Sequence, residues 1–109
     1  MKVNELEKQL GISRANIRYY ESEGFIQPSR SENGYRNYSS EDAELLKKVI
    51  VYRKLGLSIA EIKSVFSGEI SLKDAVSVSI KNLQDSIDSQ NVAIAICEEI
   101  KAQDINNKE

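Results

Sequence analysis

Apolar residues recur along this chain in two rhythms, one helical and one strand-like, and glycines punctuate both. Val3, Leu6 and Leu10 follow at helical spacing, and Gly11 supplies the left-handed stop that ends such a helix. Asn4 and Glu7 stand three apart, the arrangement of a capping box. Ser13 is placed to cap a second short helix from about Arg14 to Ser22, with Ile17 facing inward and Gly24 beyond its end. Two short helices joined by a Gly-containing turn, over about residues 3–22, predict a helix-turn-helix. Residues 25–38 then switch to strand and turn chemistry. Phe25 and Ile26 are predicted to pair across a hairpin with residues near Tyr35 to Tyr38, Pro28 suits an edge strand, and Asn33-Gly34 suits a two-residue turn.

The helical rhythm returns at Ser39, which caps a third helix with Asp42 three residues on. Ala43, Leu46, Ile50 and Leu55 form a broad stripe with Leu45, Val49 and Tyr52 beside it, and Gly56 ends the run. Ser58 and Glu61 make another capping box, opening a fourth helix through Ile59, Ile62, Val65 and Phe66 to Gly68. The third and fourth helices form a second helix-turn-helix. From Leu72 to Ala102 there is neither Gly nor Pro, and Val76, Ile80, Leu83, Ile87, Gln90, Ile94, Cys97 and Lys101 alternate at spacings of four and three. That is a heptad seam. A helix of roughly 30 residues spans about 45 Å at 1.5 Å per residue, too long to lie across so small a head. Its stripe needs a partner, and a second copy is the simplest one. The expected layout is a head over residues 1–68, a long helix over 71–103 and a frayed polar tail over 104–109.

Charge changes this picture only locally. The chain carries 15 Lys/Arg against 17 Asp/Glu, net −2, so bulk charge does not argue for a nucleic-acid partner. The balance is uneven: residues 1–67 hold 11 basic and 9 acidic side chains, and residues 68–109 hold 4 and 8. One cysteine and no histidine exclude an intrachain disulfide framework. No apolar run reaches the roughly 18 residues of a membrane span, and the charged, amphipathic start is not a signal peptide. A reducing cytoplasm is the expected compartment.

Candidate chemistry concentrates in residues 14–38, where arginines alternate with aromatics. Arg and Tyr grip phosphate backbones and stack on sugars and bases, so a helix followed at once by a basic, aromatic hairpin suits DNA docking. Ser13, Arg14 and Asn16 lie at the start of the second helix, where base edges are reached; a solvated helix face is the alternative for Arg14 and Asn16. Arg18 neighbours inward-facing Ile17 and therefore projects outward, toward phosphates or else toward Glu21 or Ser22. Tyr19 and Tyr20 point about 100° apart, which sends Tyr20 to the core and Tyr19 to the sugar-phosphate backbone. Tyr35 and Arg36 flank the turn, with Arg36 expected on a phosphate; Tyr38 either fills the core or donates to a phosphate. Ser58 either caps its helix alone or also turns that helix's amides toward a phosphate. On the long helix Gln90 either fixes register or marks divergence of the helices, and Cys97 reads as a small buried hydrophobe rather than a redox group.

IRYYE at 17–21, Gly24-Phe25-Ile26 with Pro28, SENGYRNYS at 31–39 and LGLSIAEIK at 55–63 together resemble the MerR family of bacterial transcription regulators. The resemblance covers roughly the first 67 residues closely and the remainder only in kind. It implies a mainly α protein: a winged helix-turn-helix head of four short helices and a β-hairpin wing, with a long C-terminal helix that pairs antiparallel as a coiled coil. It also implies a dimer that bends and untwists a pseudo-palindromic promoter, with RNA polymerase as a further partner. No cofactor is expected. Family metal sensors bind through cysteines near both ends of the dimer helix; here Cys97 stands alone and serines occupy 71, 77 and 79, so a soft-metal site is not expected. The large effector domain of drug-sensing members has no counterpart in these residues, which fits a short member or a piece of a longer chain.

Two other readings compete. A DNA-architectural protein of the same fold, excisionase-like or nucleoid-organising, bends DNA without regulating a promoter; the long helix argues against it. A coiled-coil interaction module whose head has lost DNA binding is disfavoured by Arg18, Tyr19 and Arg36. An enzyme is not expected, because no Cys–His pair, Gly-rich phosphate loop or metal cluster can be assembled.

Overall fold

Four short or medium helices and a small hairpin feed one long rod. The helices are α1 (Val3–Leu10), α2 (Arg14–Ser22), α3 (Ser40–Lys54), α4 (Ile59–Phe66) and α5 (Leu72–Asn107), with strands β1 (Ser29–Arg30) and β2 (Arg36–Asn37) between α2 and α3. The computed structural model describes residues 1–107, with side chains to residue 104. The extents are 74 × 34 × 19 Å, and the long dimension follows α5.

Local chemistry sets most boundaries. Gly11 stops α1 at φ 68°, where only glycine is unstrained. The Ser13 hydroxyl accepts from the Asn16 amide and opens α2. Ser39 with Asp42, and Ser58 with Glu61, form reciprocal capping boxes at the starts of α3 and α4. The Ser71 hydroxyl accepts from the Asp74 amide at the start of α5.

Two apolar clusters hold the head. The first gathers Leu6, Ile17, Ile26, Tyr38, Ala43 and Leu46 from α1, α2, the hairpin and α3. The second gathers Phe25, Val49, Leu57, Ile62 and Ala75, and so binds the root of α5 to α3 and α4. Tyr20 packs on both. Beyond that root α5 leaves the head. Residues 80–104 are all exposed, and Ile80, Leu83, Ile87, Val92, Ile94, Ile96 and Ile100 stand in water over half their surface.

Several expectations need correcting. Asn4 does not cap α1: the cap lies two residues earlier, at Lys2, with no side-chain bond. Instead the chain's terminal ammonium donates to Asn37 Oδ1 and to the Tyr38 carbonyl, stitching the start of α1 to β2. Phe25 and Ile26 are not strand residues but core residues; β1 lies at Ser29–Arg30 and pairs antiparallel with Arg36–Asn37. Burial of both side chains outweighs their strand propensity. The hairpin turn is longer than Asn-Gly implied. The Ser31 amide donates to the Tyr35 carbonyl, so residues 32–34 form a three-residue loop with Gly34 alone at positive φ. Leu55 does not join the α3 core but stays 40% exposed at the helix end. Finally α5 continues through Asn107 rather than fraying from residue 104; residues 108 and 109 of the expected tail lie outside the described residues.

Candidate nucleic-acid interface

An open concavity of about 340 Å³ lies between α1, α2 and the hairpin, lined by Lys2, Val3, Asn4, Arg14, Arg18, Arg30, Gly34, Tyr35 and Arg36. Lys2 and the four arginines make it cationic, and no acidic residue lines it among the described residues. Two of the arginines are ion-paired from outside the lining, Arg14 to Glu7 and Arg36 to Glu21, and the surface is positive on balance. Arg14 and Arg18 bring the first turns of α2 to it, and the dipole of that helix adds partial positive charge there.

Each cation is held differently. The Arg14 guanidinium donates to Glu7 Oε1 at 3.2 Å, while Glu7 Oε2 accepts from the Arg14 amide at 3.0 Å, so one carboxylate fixes both the side chain and the helix start. Arg30 folds back along the hairpin and donates to the Gly34 carbonyl at 2.9 Å. Arg36 Nε donates to both oxygens of Glu21, at 2.9 and 3.1 Å, across 15 residues of sequence. This half-buried pair bolts the hairpin to α2. Arg18 and Lys2 have no ion-pair partner among the described residues, which leaves both cations available to a ligand.

The expected DNA-facing residues therefore divide. Arg14, Arg18, Tyr35 and Arg36 converge on the concavity, and Tyr35 is 71% exposed at its rim. Ser13, Asn16 and Tyr19 stay on the outer surface of α2 without lining it; Tyr19 stacks obliquely on Tyr20 with centroids 5.7 Å apart. Tyr38 does not reach out to a phosphate. It is buried, and its hydroxyl donates to Glu21 Oε1 at 3.3 Å. Burial first and the Glu21 carboxylate second push its pKa up. Ser58 does not line the concavity, and its amide and hydroxyl are both engaged with Glu61 in the capping box. Glu21 answers Arg36 and Tyr38, not Arg18, because an i, i+3 contact loses to a carboxylate already claimed from the hairpin side.

Lys2, Val3, Asn4 and Gly34 were not foreseen as part of this surface. The signal was present for Lys2, a cation beside the first helix. Its use depends on the terminal ammonium docking on β2, a contact 36 residues away in sequence.

The matching family model, that of the MerR HTH family regulatory protein, covers residues 1–69. The chain belongs to this family. As a MerR-family protein it is 32% identical over 83 residues to the HTH-type transcriptional regulator HmrR of Rhizobium leguminosarum bv. viciae, covering 76% of this chain and 64% of that one. Among solved structures it resembles the N-terminus of MtaN, the Bacillus subtilis multidrug transporter activator, with a TM-score of 0.80 at 21% identity, covering 91% of this chain and 95% of that one. It also resembles HiNmlR, a MerR-family regulator lacking the sensor domain, bound to promoter DNA, with a TM-score of 0.61 at 22% identity over 86% of this chain and 77% of that one. At such identities the likeness is one of fold. The chain spans 64%, 46% and 55% of the length of three curated relatives it matches.

Some relatives are named for heavy metals. The residues here do not fit such a site: Cys97 is the sole cysteine, Ser79 stands buried at the root of α5, and no group of three or more His, Cys, Asp or Glu converges among the described residues. No helix among them is long and apolar enough to cross a membrane.

Proposed function

We propose that this chain is a sequence-specific, promoter-binding transcription regulator that acts as a homodimer and deforms its operator. Residues 1–68 act as the DNA-binding head and α5 as the dimer helix. The observation that carries the reading is the cationic basin between α1, α2 and the hairpin, in a chain of this family. In this reading α2 enters the major groove, Arg14 reaches a base edge, and Arg18, Arg36 and Tyr35 hold phosphates on either side. Lys2 and Arg30 add backbone charge. Glu21 and Glu7 touch no DNA; they hold Arg36 and Arg14 at the angle DNA requires.

The seam of Ile80, Leu83, Ile87, Gln90, Ile94 and Cys97 joins two copies; Val76, packed on the head's second cluster, contributes only its free edge. Two heads fixed on one pair of rods have a fixed separation, so DNA whose half-sites do not match it must bend or untwist. Flexible pyrimidine–purine steps make this cheaper. RNA polymerase at the same promoter is the partner that reads the deformation. The test is selection from a randomised duplex library at low salt, followed by circular-permutation gel shifts. A specific, salt-sensitive, bent complex is expected. Absence of any selected duplex overturns the reading.

A further inference from the structure

Asn33 and Gly34 sit at the tip of the hairpin, at the edge of the cationic basin. Gly34 lines that basin, and Asn33 is exposed next to it. The pair carries a chemistry of its own. The side-chain amide of an asparagine is an electrophile within reach of the backbone nitrogen that follows it. Where that nitrogen belongs to glycine, no Cβ stands in the path of attack. The Gly34 nitrogen would form a bond to Asn33 Cγ while the bond from Cγ to Nδ2 breaks. The side-chain nitrogen takes up the proton that the Gly34 nitrogen gives up and leaves as ammonia, and the ring that remains is a succinimide. Water then opens the ring. Opening at one carbonyl leaves aspartate. Opening at the other leaves isoaspartate, whose main chain runs through Cγ and is longer by one carbon. Water enters and ammonia leaves, with nothing oxidised or reduced.

The fold singles out this pair. Asn4, Asn16, Asn82 and Asn91 lie within helices and precede Glu5, Ile17, Leu83 and Val92. Asn37 precedes Tyr38, and its side chain accepts from the terminal ammonium. Helical backbone or a bulky successor keeps the following nitrogen from those side chains. Asn33 instead lies in a loop between strands of two residues each, so few hydrogen bonds need to open there. The closed turn withholds the nucleophile. The Gly34 amide donates to the Ser31 carbonyl at 2.9 Å, and the Ser31 amide donates to the Tyr35 carbonyl at 2.8 Å. Opening releases it beside a positive charge, because the Arg30 guanidinium donates to the Gly34 carbonyl at 2.9 Å. That charge favours the ionised amide nitrogen, which is the attacking species. Glu32 in the same loop opposes it in part, and Arg36 is turned to Glu21.

The place of the product gives it an effect. A neutral amide becomes a carboxylate beside a surface that gathers Lys2 and four arginines. Isoaspartate also lengthens the loop and breaks the match of Ser31 with Tyr35. We propose that Asn33–Gly34 is a self-modification site whose deamidation retires the DNA-binding head with age, and that a bound operator, gripping Tyr35 and Arg36, keeps the turn closed and postpones it. The chemistry stands on the hairpin alone; its effect on DNA rests on the promoter-binding reading above.

Trypsin releases residues 31–36 as one peptide, so isoaspartate at Asn33 can be counted by mass spectrometry and by labelling with an isoaspartyl methyltransferase. Purified protein is held at neutral pH, free or saturated with a duplex selected from the randomised library, beside a synthetic peptide of residues 31–36. The free protein should convert at Asn33 ahead of Asn4, Asn16, Asn37, Asn82 and Asn91, and about tenfold more slowly than the peptide because the turn must open. The operator complex should convert at least about fivefold more slowly still. Protein enriched in isoaspartate should bind the duplex about tenfold or more weakly, with Asn33→Asp in between. Asn33→Gln, which closes the ring far less readily, should bind within about twofold of wild type and stay unconverted. No isoaspartate at Asn33 in the folded protein, over a time in which the peptide converts fully, overturns the site. Equal rates in free and bound protein overturn the protection by operator. Isoaspartate protein that binds as tightly as wild type overturns the retirement. If the wild type binds no duplex, the promoter-binding reading fails and the retirement with it, while conversion of the free protein still decides the site.

Discussion

The head and the rod solve opposite problems. The head closes on itself: no buried side-chain nitrogen or oxygen among the described residues lacks a partner, and its large side chains, Tyr38, Leu6, Ile17 and Leu46, are fully covered. The rod beyond Ser79 covers nothing. Ile87 at its middle is 55% exposed, and its neighbours on the seam stand equally open. A helix stabilised only by its own backbone bonds is marginal in water, and most helical stability comes from packing one face. The head is thus closed on itself, whereas the rod leaves an apolar stripe in water, which in the proposed reading a second copy covers.

The sharpest way to break that comparison is to damage the rod and watch the head. Ile87→Asp places a charge in the seam of both subunits. Losing two buried isoleucines costs about 3–6 kcal/mol, or roughly a hundred- to ten-thousand-fold in dimer affinity. Sedimentation equilibrium should give a monomer with the head's near-ultraviolet circular dichroism intact. A head that unfolds along with the rod means that the two regions are one cooperative unit.

Damage to the basin should show the reverse. Arg18→Ala removes a cation that has no internal partner among the described residues, at about 1.5–3 kcal/mol for a charged hydrogen bond. The salt slope of binding should fall by about 0.9 for each phosphate that is no longer neutralised. The dimer should be untouched. Glu21→Gln should weaken DNA binding although it removes a negative charge, because Arg36 and the hairpin lose their anchor. If Glu21→Gln tightened binding instead, the carboxylate would be a brake on the basin rather than its scaffold.

What could be read from the residues follows the same divide. Signals within a turn of helix were legible: Ser39 with Asp42, Ser58 with Glu61, Gly11, and the outward and inward tyrosines of α2. So was the long helical run of α5, because periodicity is a local property repeated. Contacts that depend on closure of the fold were not. Nothing near Glu21 in sequence says that it serves Arg36 and Tyr38 from the hairpin, or that the chain's first residue docks on Asn37. Tyr38 looked equally fit for core or surface because its body is apolar and its tip polar. The tertiary partner decided it. The concavity was half visible for the same reason: its arginines stand out, but its α1 edge depends on that long-range docking.

Where α5 leaves the head, glycine chemistry separates the two regions on a finer scale. Gly56 has φ 92°, and a Cβ there would sit 2.7 Å from the Ser79 hydroxyl oxygen. Gly24 has φ 88° with nothing within 4 Å. Gly24→Ala should cost only the left-handed backbone penalty, about 1–2 kcal/mol. Gly56→Ala should cost that and more, since Ser79 must give up its bond to Leu55. Denaturant melts of the two variants measure the difference, which is the strength of the joint between head and rod. Equal costs would show that Ser79 swings aside freely and that the joint is loose.

The smallest expected effect lies in the cap of α4, and it tests whether the head alone senses acid. The Glu61 carboxylate accepts from the Ser58 amide at 3.0 Å, and this bond foremost, with the Ser58 hydroxyl second, holds its pKa below the ordinary carboxylate value. A carboxyl that binds its proton less readily when folded adds stability above its unfolded pKa. That contribution fades as pH falls through the lower folded value. Glu61→Gln should therefore lower Tm by a few degrees at neutral pH, and the gap from wild type should close as pH drops below the carboxylate range. The side chain is partly exposed, so screening by salt should shrink the gap as well. Dimer affinity, set by a seam in which no carboxylate takes part, should not differ between the two proteins at any pH. A gap that persists undiminished at low pH would show that the cap works through its shape and not through its charge.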